Sequence, residues 1–69
     1  MKLAEYMKLN NMTDRRMADL IKVKAMAVNN YRRGLSAPRL DIAKRIETVT
    51  DGEVTIRDLR PDVAVYFDS

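Results

Sequence analysis

The chain has no His and no Cys among its 69 residues. Imidazole is the commonest general base, and imidazole and thiolate are the usual soft metal ligands and activated nucleophiles, so the residue types behind most hydrolytic and metal chemistry are missing. Ser36 and Ser69 stand in no recognisable nucleophile motif. Asp58 and Asp62 lie four apart, but Pro61 breaks the turn between them, and they read as solvated carboxylates. Two glycines, Gly34 and Gly52, cannot build a Gly-rich phosphate loop. No catalytic residue, metal ligand, cofactor or small-molecule substrate is expected, and the chain does not read as an enzyme. What remains is recognition chemistry. Lys24, Ala25, Met26, Asn29, Asn30 and Arg33 fall within one short stretch. An Asn amide can pair with both polar atoms of an adenine edge and an Arg guanidinium with those of guanine, while Ala and Met can touch a thymine methyl.

The charge points the same way. The net charge is +3, with charged residues at 33% and hydrophobic ones at 46%. Residues 1–34 hold the basic side chains Lys2, Lys8, Arg15, Arg16, Lys22, Lys24, Arg32 and Arg33 against only Glu5, Asp14 and Asp19. The remainder is acidic on balance. A basic half of this kind attracts phosphate polymers, although a solvated surface would show the same excess. The length allows one small domain, which buries only about 60% of its unfolded surface. No apolar run approaches the roughly 20 residues of a membrane span, and no apolar signal-peptide core follows Lys2. A cytoplasmic, nucleoid-associated location and no membrane partner are expected.

Positioning the candidate residues falls to a set of short helices. Leu3, Tyr6 and Met7 form a helical stripe within residues 2–9, ended by Asn10-Asn11. Thr13 reads as an N-cap with Asp14 in the first turn, and Met17, Ala18 and Ile21 line a second helix of about two turns. Val23 interrupts the pattern as a buried turn residue. A third helix runs from about Ala25 to Arg33, with Val28 and Tyr31 inward, and Gly34 stops it. Ser36 reads as the next N-cap, with Pro38 inside the first turn of a fourth helix that carries Leu40, Ile42, Ala43, Ile46 and Val49 to Thr50. Thr55 caps a last turn holding Ile56 and Leu59 inward, closed by Pro61. Met7, Met12 and Met17 read as core filler, whereas Met26 falls on the exposed face with no structural reason.

Thr13 to Gly34 thus pairs two short helices through a tight turn at Lys22-Val23-Lys24, with Ala18 small enough to let them cross closely. That is the geometry of a helix-turn-helix, whose second helix can enter a DNA major groove. The stretch resembles the helix-turn-helix of Cro/C1-type (Xre-like) repressors, with their Thr or Ser cap, their Ala-Glu-Leu-Ala pattern, a Gly-Val turn and a recognition helix ending in aromatic-x-x-Gly. The ending Gly52 to Pro61 is similar to small Cro-like and YdaS-antitoxin-like phage proteins, and the likeness extends over about residues 2–62. Lys22 departs from it, standing where the family favours Gly. Arg15 stands where a small residue is usual, and Arg16 replaces a capping-box Glu.

The resemblance implies an all-α compact bundle of four to five short helices with a possible short C-terminal strand. It also implies sequence-specific binding of double-stranded DNA, as a small Cro-like repressor of phage or bacterial origin. The outward face of the third helix, Lys24, Ala25, Met26, Asn29, Asn30 and Arg33, supplies the DNA-facing residues. The start of that helix and Asn30 read bases, while Asn29 and Arg33 lean toward phosphates. Thr13, Arg15, Arg16, Ser36 and Arg39 contact phosphate. The alternative is a protein-binding helix-turn-helix module, such as an antitoxin or a polymerase-contacting adaptor, with Met26 as an anchor. Residues 1–62 form the DNA-binding domain. The β-prone tail, residues 63–69, is expected to dimerise through Val63, Val65 and Phe67, since a lone strand leaves its backbone groups unpaired.

Overall fold

The computed structural model describes residues 1–62. Their order is α1 (Leu3–Leu9), α2 (Asp14–Ile21), α3 (Ala25–Arg33), α4 (Leu40–Val49) and α5 (Ile56–Leu59), with no strand among the described residues. The chain is therefore the all-α bundle its periodicities predict. Val63, Val65 and Phe67, and with them the expected strand, lie outside the described residues.

Helices this short are marginal in isolation, so the apolar stripes must carry them. Leu3 and Met7 of α1, Met17, Ala18 and Ile21 of α2, Val28 of α3, Ile46 of α4 and Val54 form one buried cluster. Tyr6, Met12, Val23, Tyr31, Ile42, Val49 and Leu59 pack around it. Leu40, expected in the α4 stripe, is instead exposed. Among the described residues one polar side chain shares the interior. The Thr50 hydroxyl donates to the Ile46 carbonyl at 2.8 Å and accepts from the Val54 amide at 3.1 Å. Both its hydrogen-bonding roles are thereby satisfied, so its burial carries no unmet polar group.

The first four helices end alike. A left-handed residue, Asn11, Lys22, Gly34 or Asp51, follows each of them. The next amide then bonds back five residues: Met12 to Met7, Val23 to Ala18, Leu35 to Asn30 and Gly52 to Glu47, at 2.8 to 3.0 Å. This is the Schellman closure, which meets carbonyls the helix leaves without partners. Gly34 is the one left-handed glycine among these four positions; Asn11 tolerates the conformation through its short polar side chain. Lys22, with φ 60° and ψ 50°, is the bulkiest residue held this way.

The start of α4 differs from the expectation. Ser36 is not its N-cap, and Pro38 is not in its first turn; the N-cap is Arg39, whose side chain makes no capping bond. The cause lies upstream. The Leu35 and Ser36 amides both turn back onto the Asn30 carbonyl to finish α3, at 2.9 and 3.4 Å. Pro38 is buried, and the helical region is disfavoured for the residue before a proline, so Ala37 and Pro38 bridge to α4 in non-helical form.

Candidate nucleic-acid interface

Two helix starts and one turn build the face of interest. The Thr13 side chain accepts the Arg16 amide at 3.1 Å, which fixes the start of α2 and leaves the Arg15 and Arg16 side chains exposed there. Ala18, Ile21 and Val28 are buried in one cluster, and the left-handed turn at Lys22 brings the chain round into α3. The Arg45 guanidinium on α4 donates to the Ile21 carbonyl at 3.1 Å, anchoring the end of α2 from the far side.

On α3, Val28 is fully buried and Tyr31 half-buried, so the helix presents the opposite side outward. Lys24, Ala25, Met26 and Arg33 are exposed, and Met26 keeps 68% of its surface in solvent. Asn29 and Asn30 are half-buried. The Asn30 side chain makes no hydrogen bond among the described residues, although its backbone carbonyl closes α3. Thr13, Ser36 and Arg39 are exposed as well, Arg39 standing 3.7 Å from Asp41.

Sequence reasoning missed one set of contacts. Arg32 Nε donates to Asp14 Oδ1 at 2.8 Å, and its Nη2 donates to Asp14 Oδ2 at 3.1 Å. Asn29 Nδ2 donates to the same Oδ2 at 3.2 Å, and Arg33 Nη1 donates to Asn29 Oδ1 at 3.5 Å. The start of α2 is thus tied to the second half of α3. Hydrogen bonding from Arg32 holds the Asp14 carboxyl below its ordinary value; partial burial works against this, and the Asn29 amide adds to it. The available signal was the spacing of Asn29 and Arg32, three apart and so neighbours on one side of α3, next to the inward Val28. Nothing in the sequence points across eighteen residues to Asp14.

The positive charge divides by engagement. In the second half of the chain, Arg39, Lys44, Arg45, Arg57 and Arg60 all have partners. Among the described residues the cationic side chains without a hydrogen bond or ion pair are Lys2, Lys8, Arg15, Arg16, Lys22 and Lys24. All of them precede or open α3. Such charges are fully available to an anionic partner, whereas a paired one must first give up its own contact.

A family model described as helix-turn-helix matches residues 3–57. No curated protein and no solved structure matches the chain.

Proposed function

Because the chain belongs to the Cro/C1-type helix-turn-helix family, a family of DNA-binding regulators, we propose that it is a sequence-specific repressor acting on double-stranded DNA. The observation that carries this reading is the set of unpartnered cations on α1, at the start of α2 and in the turn into α3, beside an α3 face on which Lys24, Ala25 and Met26 are exposed. Thr13, Arg15, Arg16, Ser36 and Arg39 engage the phosphate backbone and fix the orientation. On the outward side of α3, Lys24, Ala25, Met26 and Asn30 enter the major groove, where base edges carry a distinct donor and acceptor pattern. Two copies, joined through Val63, Val65 and Phe67, set their α3 helices about 34 Å apart on successive half-sites and block a promoter. The dimer rests on the sequence of the tail alone.

The test is a binding titration on duplex DNA across salt, coupled to selection of bound sequences from a random pool. If about six cations meet phosphates, log K falls against log salt with a slope near −5. Selection then returns an enriched two-fold-related motif. A slope near zero, or a pool that never departs from random, rejects the reading.

A further inference from the structure

The contacts at the start of α2 bear on how specificity is divided along α3. Building on the DNA-binding reading, we infer that Asp14 is a specificity-determining positioning residue: its carboxylate withdraws Asn29 and Arg32 from DNA, leaving Asn30 as the amide that reads a base.

The orientation of Asn29 follows from donor and acceptor chemistry. An ionised carboxylate only accepts and a guanidinium only donates. Asn29 lies between Asp14 Oδ2 at 3.2 Å and Arg33 Nη1 at 3.5 Å, so its amino group faces Asp14 and its oxygen faces Arg33. Bidentate pairing with adenine needs both amide atoms turned together toward the base edge. Asn29 meets that need only by leaving Asp14, and hydrogen bonds to an ionised group are roughly twice as strong as neutral ones. Asn30 lies about 100° further round the helix and its side chain has no such tie.

Arg32 has a complementary part. A bare carboxylate at the start of α2, next to Arg15 and Arg16, would repel a phosphate that those residues attract. The Arg32 fork covers both carboxylate oxygens at 2.8 and 3.1 Å and cancels that charge. Asp14 and Arg32 together are neutral, so neither counts among the cations that meet the backbone.

The experiment selects bound sequences from a random duplex pool and measures salt slopes for five proteins: the parent chain, Asn29→Ala, Asn30→Ala, Asp14→Ala and the double variant Asp14→Ala with Asn29→Ala. Thermal unfolding confirms that each is folded, and Asp14→Asn replaces Asp14→Ala if the latter is not. Asn29→Ala is expected to select the same motif as the parent. Asn30→Ala loses preference at one position of each half-site, with a loss of about tenfold or more on the best site. Asp14→Ala frees Arg32 and Asn29 together: the slope steepens by about one, and base preference changes at a position beside the Asn30 site. The double variant keeps the steeper slope and loses that changed preference. A contact that only holds the helices together would lower stability without moving a base preference. The inference is overturned if Asn29→Ala alters the motif of the parent, or if Asp14→Ala leaves both motif and slope unchanged. A parent chain that binds no DNA at all instead rejects the functional reading beneath it.

Discussion

At the scale of single residues, the chain separates side chains that hold the fold from side chains left free. Asp14 belongs to the first group. Its folded carboxyl is held below the ordinary value by Arg32, so its contribution is fully present above the unfolded pKa and disappears as pH falls through the lower folded one. Asp14→Asn should therefore lower the midpoint of thermal unfolding by a few degrees near neutral pH, and the gap to the parent should close as pH falls below the ordinary carboxylate range. A gap that persists unchanged in acid would mean that the carboxylate charge contributes nothing. Arg15 belongs to the second group. Arg15→Ala should weaken all duplex sequences alike and reduce the salt slope by about one. Asn30→Ala should cost about 1–3 kcal/mol on the preferred site while leaving generic binding intact. Equal losses on specific and generic DNA from both substitutions would show that α3 faces the groove differently. The outward face of α3 was legible from periodicity, because Val28 and Tyr31 fix which side is buried. The engagement of Asn29 was not, because it depends on a carboxylate in another helix.

The helices were legible in proportion to how local their signals are. Thr13 caps α2 and Thr55 caps α5 through their own side chains, and both stand out in the sequence. Gly34 ends α3 where an achiral residue is expected. The start of α4 misled because Ser36 has the right chemistry for a cap but its amide already serves the end of α3, and that competition is invisible to a single-residue rule. Lys22 gives this scale its own prediction. A side chain with a Cβ in the left-handed region carries a penalty of roughly 1 kcal/mol that glycine escapes. Lys22 is exposed, so removing its side chain sacrifices little packing. Lys22→Gly should raise stability by up to about 1 kcal/mol, visible as a rise of several degrees in unfolding temperature. It should also remove one unpartnered cation and weaken generic DNA binding slightly. A destabilised variant would mean that the stem of Lys22 packs on the domain and outweighs the backbone strain.

For the molecule as a whole, the uneven charge of the sequence becomes sharper in the structure. Counting residues shows a basic half and an acidic half; tracing partners shows that every cation of the acidic half is engaged, three of them by its own carboxylates. That selection could not be read from composition, which counts a lysine paired to Glu47 like one facing water. The tail gives the prediction at this scale. Deleting residues 63–69 should yield a monomer by sedimentation with its helical content retained. It should lose far more affinity for a paired operator than for a single half-site, since linking two sites multiplies their effective concentration. A truncated chain that still dimerises removes the tail from that role.

The two sides of α3 also differ in what they can tolerate. Val28, Tyr31, Gly34 and the Asp14–Arg32 fork fix how the helix sits, and all of them avoid its outward surface. Lys24, Ala25 and Met26 are exposed and Asn30 is untied, so exchanging them leaves the interior alone; surface changes of this kind usually shift stability by no more than about 0.5 kcal/mol. On the proposed reading, the domain would work like a holder with a replaceable key. Its lineage would acquire a new address by rewriting four codons within a stretch of seven, without having to find a new fold to carry them.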